Sequence, residues 1–398
     1  MSPNFSRRRF IKGIGGAAAA ASFPDVLRVV LADSPPQSAP RVRAIVFWED
    51  GFPQVDGCGV VRSVLQAALG SFDVSYLSER ELIEQLTIDR CELLITPYGS
   101  AFPKRAWPAI RAFLRAGGNL LNLGGSPFVV PVVRAGSQWR TEERQTAYHK
   151  QLGITQSFPV EASAVSSYRA ANHFSRDNLK DNNGQSLTRD FTADKVFELY
   201  VRFTSSSLVP DESGSDGPRE AALYPLVFGM NREQRPIAAP IIQIDRLQGE
   251  FAGGRWLFAN FSGRISAAVT GQLAQLAAQS VIEFRVRTEF ACCRAGETPQ
   301  FTIDLHRPRG DLRTLIHDDC HLEVRTGAGQ LVSQLTIPLK TESARATGSG
   351  KAKELTQLEP GLYRVEARLT VAGSAAHELT YTSGFWVYDA KLLRSGKP

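Results

Sequence analysis

The chain has 398 residues, 43% of them hydrophobic, enough to bury a large core and to divide into more than one folded part. Its net charge of +6 comes without a basic stripe interleaved with aromatics, which argues against nucleic acid as a partner. There is no internal repeat, and no apolar run beyond the N-terminal segment suggests a stable membrane span.

In chain order, Ser6-Arg7-Arg8-Arg9-Phe10-Ile11-Lys12 precedes a weakly hydrophobic stretch from Gly13 to Phe23. That is the layout of a targeting segment, and it matches the twin-arginine export consensus, with Arg7 and Arg8 as the signal pair. A small-residue cleavage site at Val30-Leu31-Ala32 makes residues 1–32 a signal peptide and 33–42 a Pro/Ser-rich linker. The expected location is periplasmic or extracellular, reached after folding.

From Arg43 the apolar patterning predicts an α/β region. Strands are expected at 43–48, 72–77, 93–96 and 120–123, with helices at about 60–70, 79–86 and 107–115. Ser78-Glu79-Arg80-Glu81 reads as a capping box that opens the second helix. The almost unbroken apolar strands are those of a parallel sheet covered on both faces, so an open, doubly wound, flavodoxin-like sheet is the expected architecture. Residues 134–240 read as a loose insertion, with a helix at 142–152, a strand at 195–203 and a surface loop at 205–219. Strands at 241–244 and 255–261 and a helix at 265–279 complete a first domain, 43–280.

After Ser280 the hydrophobic period changes to two. About seven short strands between Gly, Pro and Ser turns predict an all-β sandwich over 281–390, followed by a tail, 391–398. Leu358-Glu359-Pro360-Gly361-Leu362-Tyr363 resembles the turn-then-tyrosine approach to a late strand of Ig-like domains. Five cysteines in an exported chain permit a disulfide, with Cys320 and one of Cys292 or Cys293 as the available pair. Cys58 and Cys91 read as small buried residues.

Ligands of open parallel sheets bind beyond the carboxyl ends of the strands, here Pro97–Ser100 and Gly124–Pro127. Glu49 and Asp50, at the end of the first strand, are the carboxylates available there for acid–base work; adjacent residues ordinarily point apart. Ser126 is the hydroxyl available as a nucleophile, but Gly124-Gly125-Ser126-Pro127 is not a G-x-S-x-G elbow, and a tight turn is the ordinary reading. His317, Asp319 and His321 would share one face of an extended strand and suit zinc; turn chemistry is the competing reading. Neither G-x-G-x-x-G nor a P-loop occurs, so no cofactor is indicated. Trp48, Trp107 and Trp256 read as core, while Trp139 and Trp386 are less constrained and could stack on a sugar.

The segments LLITPYG (93–99), RAGG (115–118), NLLNLGG (119–125) and GGRWLFANF (253–261) make residues 43–279 resemble the class I glutamine amidotransferase-like domain, in the non-catalytic form found in β-galactosidase-like glycoside hydrolases. In active amidotransferases the turn after the NLLNLGG strand carries a nucleophilic Cys, and a His with an acid follows the late strand. Here Ser126 and Ser262-Gly263-Arg264 stand at those places, so both nucleophile and base are missing. The resemblance implies an exported, non-catalytic accessory module, with a carbohydrate or a glycosidase as partner and oligomerisation allowed. A catalytic barrel follows such an arrangement in the proteins it resembles, so the chain reads as the front part of a split hydrolase or a free-standing partner of one. The competing readings are an independent hydrolase using Glu49, Asp50 and Ser126, and a metal-binding or adhesion protein.

Overall fold

Arg43–Phe47 (β1), Leu93–Thr96 (β3) and Asn119–Leu123 (β5) are buried along almost their whole length. With both faces covered, apolar residues are needed at every position rather than every second one. Alternate side chains enter two cores. Ala44 and Val46 pack with Leu65, Val269 and Leu273 on one face; Ile45 and Phe47 pack with Leu82, Ile110 and Leu114 on the other. The intervening elements are α1 (Arg62–Ala68), β2 (Asp73–Leu77), α2 (Glu79–Gln85), β4 (Ala101–Pro103) and α3 (Trp107–Arg115). The α2 capping box forms as read, with Ser78 and Glu81 exchanging side-chain and backbone bonds.

The computed structural model describes residues 41–171, 191–201, 219–352, 355, 357–373 and 375–389. These lie in the second of two units into which the chain divides, Met1–Ser38 and Ala39–Pro398. The export signal with Arg7 and Arg8, the cleavage site, almost all of the 205–219 loop and the 391–398 tail lie outside the described residues. Among those described, no helix is long and apolar enough to cross a membrane.

The remainder of the first half consists of β6 (Val130–Ala135), β7 (Gln138–Thr141), α4 (Ala147–Lys150), β8 (Ile154–Glu161), β9 (Ser167–Ala170), β10 (Phe191–Val201), β11 (Ala221–Met230), β12 (Pro236–Arg246), β13 (Arg255–Ala259), β14 (Phe261–Ile265) and α5 (Ala267–Ala278). The main sheet has eight strands in the order β2-β1-β3-β5-β13-β12-β11-β9. The first five are parallel, and β12, β11 and β9 extend them antiparallel. The 134–240 region is therefore not a loose insertion. It supplies β9, β11 and part of β12 to the sheet, while β8 and β10 pair with β14 in a separate three-stranded sheet. The helix expected at 142–152 shrinks to Ala147–Lys150 because the N–H groups of Glu142 and Gln145 bond to Pro131 and Val129 carbonyls instead.

The C-terminal part holds β15 (Glu283–Thr288), β16 (Cys292–Arg294), β17 (Gln300–His306), β18 (Cys320–Thr326), β19 (Leu331–Ile337), β20 (Lys340–Thr341), β21 (Arg345–Lys351), β22 (Gly361–Val371) and β23 (His377–Tyr388). They form two sheets, β15-β17-β21-β20 and β16-β23-β22-β18-β19, around a third buried cluster centred on Phe301, Val365 and Phe385. The Tyr363 hydroxyl donates to the Glu359 carbonyl at 2.9 Å, which pins the turn before β22. All five cysteines are free, so no Cys320 bridge forms; Cys320 and Cys293 are buried and Cys292 is exposed. The chain is thus a mixed α/β fold joined to strand-rich parts.

The sandwich meets the amino edge of the parallel strands. The Arg309 guanidinium donates to the Ala116 carbonyl at the end of α3. A side chain at Gly117 or Gly253 would collide with Arg309, at 2.9 and 2.7 Å respectively. Nearby, Arg255 grips Asp245 with two bonds of 2.8 and 2.9 Å, both side chains 7% exposed, and reaches Gln279 at 2.9 Å. The opposite edge, where ligands of such sheets bind, is left to the loops after β1, β3 and β5.

Candidate functional site

The crevice beyond β1, β3 and β5 is filled by the chain itself. The loop from Gly51 to Val60 runs across the strand ends and is bonded to them through backbone. Val55 N–H donates to Tyr98 at 3.3 Å, Ser100 N–H to Val55 at 2.7 Å, and Gly263 N–H to Gly57 at 3.1 Å. Val55 bridges Gly99 and Gly57 bridges Gly124. The approach is so close that side chains are excluded. A Cβ at Gly99 (φ +70°) would lie 2.1 Å from the Val55 carbonyl oxygen, and one at Gly124 (φ +99°) would lie 2.9 Å from Cys58 N. Glycine is the residue that tolerates both that backbone angle and that contact. Cys58 is buried, its thiol donates to the Phe261 carbonyl at 3.3 Å, and burial pushes its pKa far up, away from nucleophilic use.

Ser126 stands at the predicted turn, 1% exposed. Its N–H donates to the Ser100 hydroxyl at 2.9 Å, Ser100 donates to the Asp56 carboxylate at 3.0 Å, and Asp56 also pairs with Arg144. The Ser126 hydroxyl itself donates to Ser157. The imidazole nearest in role is His149 on α4, fully buried. Burial pushes it down to about 4, opposed only by a weak contact with the Pro127 backbone that falls short of a well-aligned hydrogen bond. The arrangement has a serine bonded to a serine and a neutral histidine sealed from solvent. The nucleophile-to-base bond of a hydrolase is not formed.

Glu49 and Asp50 diverge. The Glu49 carboxylate accepts the Glu79 N–H at 2.9 Å, and its backbone N–H and carbonyl both engage the Tyr98 hydroxyl at 2.9 Å. Asp50 is exposed in the following turn. The carboxyl that the structure brings to Glu49 is Glu79, 5% exposed and with Oε1 unpartnered. Burial raises its pKa, Arg105 opposes the rise, and Glu49 adds to it. Sequence reading passed over Glu79 because it sits inside a capping box, where an acidic residue has an ordinary explanation. The same edge collects aromatic rings: Phe52 packs 4.7 Å from Tyr98 and 5.1 Å from Trp139 between ring centroids. Burial pushes the Tyr98 hydroxyl up to about 12.

The zinc candidates do not share a strand face. β18 begins only at Cys320, so His317 and Asp319 lie exposed in the preceding loop, while His321 on the strand meets Thr336 Oγ1 at 3.1 Å. Among the described residues no group of three or more His, Cys, Asp or Glu side chains converges on a point that could hold a metal.

No known protein family matches the chain, and no curated protein does. Among solved structures it is similar to GH42 β-galactosidases. These include one from G. stearothermophilus (10% identity, TM-score 0.34, 79% of this chain and 40% of that one). Another is from Rahnella sp. R3 (13%, 0.32, 79% and 41%), and a third from Bacillus circulans sp. alkalophilus (10%, 0.34, 79% and 42%). The chain spans about two-fifths of the length of each. At these scores the likeness defines neither a shared activity nor a shared ligand.

Proposed function

We propose that the chain is an exported, non-catalytic accessory module of carbohydrate-active, glycoside hydrolase-associated machinery. It would comprise an amidotransferase-like α/β domain over 43–280, with flavodoxin-like strand order in its parallel half, and an Ig-like sandwich over 281–390. One observation carries the non-catalytic reading: the Gly51–Val60 loop is bonded backbone to backbone across the ends of β3 and β5, where a substrate of such a sheet would lie. The sequence resemblance in 93–125 and 253–261 supports the amidotransferase-like ancestry and, through it, the carbohydrate association. The Tyr363–Glu359 bond supports the Ig-like assignment.

The alternative, a hydrolase working from this edge, draws on the Asp56–Ser100–Ser126 chain. It requires Ser126 to leave Ser157 and acquire a base. Assay of the purified chain on aryl-glycosides, aryl-esters and glutamine separates the two. The accessory reading expects no turnover; turnover abolished by Ser126→Ala or Glu49→Gln would overturn it.

A further inference from the structure

We infer that the outer face of the five-stranded sandwich sheet carries a binding platform for a short run of neutral sugar rings, centred on Trp386. This rests on the carbohydrate association proposed above and adds a site to it.

Trp386 is half exposed, 50%, although it is paired on both sides, with Leu362 of β22 and Cys292 of β16. Leu362 stands directly opposite on β22, 51% exposed, and the exposed Cys292 is opposite on β16. Phe290, 63% exposed, lies in the turn whose Ala291 carbonyl takes the Trp386 N–H at 2.9 Å. Residues two apart on a strand share a face, so Gly384 and Tyr388 flank the indole along β23. Gly384 places no side chain beside it, and a Cβ there would already press on the Tyr363 carbonyl oxygen at 2.9 Å. On the other side the surface turns polar: Arg294 Nε donates to the Tyr388 hydroxyl at 3.3 Å, and Glu297 accepts the Arg294 N–H at 2.8 Å.

Size and chemistry choose the occupant. The exposed parts of Trp386, Phe290 and Leu362 amount to on the order of 300 Å², taking a large aromatic side chain as roughly 150–250 Å². A stable protein partner, including a second copy of this chain, needs about 800 Å² on each side. That is the size of the largest apolar patch on a typical monomer, a feature that is often functional. A pyranose ring fits it: the C–H face of the ring lies on the indole, and its hydroxyls need donors and acceptors at the edge. Tyr388, Arg294 and Glu297 provide both about 7 Å along the strand, where the next ring would lie. The paired charges of Arg294 and Glu297 favour a neutral sugar over an acidic one.

The test uses the full chain in affinity electrophoresis through gels containing galactan, xylan or β-glucan, with sedimentation velocity in parallel. At least one polysaccharide should retard the protein. Trp386→Ala should weaken retardation at least tenfold and Trp386→Phe should keep most of it, with unchanged circular dichroism in both. No retardation of the wild type by any of the three, or equal retardation of Trp386→Ala, overturns the platform. So does a dimer in the wild type that Trp386→Ala abolishes, since that makes the patch a protein interface. Turnover of aryl substrates would refute the accessory reading and leave the platform standing.

Discussion

Replacing Gly99 by alanine tests how the crevice is closed. Gly99 and Gly51 have nearly the same backbone angle, φ +70° and +72°, so alanine at either position pays for a left-handed residue, about 1 kcal/mol. Only at Gly99 is there a further cost. Nothing lies within 4 Å of a Cβ at Gly51, whereas at Gly99 the Val55 carbonyl oxygen is 2.1 Å away. That oxygen cannot stay in place, and its displacement breaks the Ser100-to-Val55 and Val55-to-Tyr98 bonds, at about 1 kcal/mol each. Gly99→Ala should therefore destabilise by about 3 kcal/mol in urea denaturation, against about 1 for Gly51→Ala. It should also open the 51–60 loop to limited proteolysis. Equal denaturation midpoints and an uncut loop in Gly99→Ala would refute the packing argument.

Acid should unfold the protein through His149, which is neutral when buried and pushed down to about 4. The unfolded chain takes up its proton below about 6.5, so stability falls as pH drops from 6.5 to 4, by about 3 kcal/mol at 1.36 kcal/mol per unit. His149→Leu should flatten the urea midpoint across that window. Glu79 has the opposite sign: with its folded pKa raised, wild-type stability declines as pH rises above the ordinary carboxyl range. Glu79→Gln should thus be more stable than wild type at pH 8 and lose that advantage at pH 4. Arg255→Met leaves the buried Asp245 carboxylate unpaired and should cost about 3–5 kcal/mol in thermal or urea unfolding. The double variant with Asp245→Leu should recover much of the loss.

The parallel half of the fold was legible because burial on both faces writes itself into sequence. Leu93–Thr96 and Leu120–Leu123 are almost wholly apolar, their two polar residues Thr96 and Asn122 bonded to each other at 2.8 Å, and Ser78 with Glu81 marks the start of α2. Of the antiparallel strands only the continuously buried half of β12, around 241–244, was legible; β9 and β11 were not, since β9 is short and half-exposed and β11 is covered unevenly along its length. Nor was the closed crevice. Residues 49–59 read EDGFPQVDGCG, the composition of a solvated loop, and their seat against Gly99 and Gly124 depends on contacts about 44 and 67 residues apart in sequence. The sequence placed Ser126 and Glu49 at the strand ends but could not show what they bond. Ser157, Glu79 and His149 arrive from elements whose local patterns say nothing about that edge.

Native-state amide hydrogen exchange at Val55, Ser100 and Gly263 tests the central claim most directly, because those three N–H groups join the loop to the turn after β3 and to β14. If the chain's own loop occupies the crevice, they exchange only on the slow timescale of the neighbouring core strands, alongside Ile95 and Leu121. Fast exchange at all three, with Ile95 and Leu121 still protected, would mean the crevice is open to a ligand and would contradict the account.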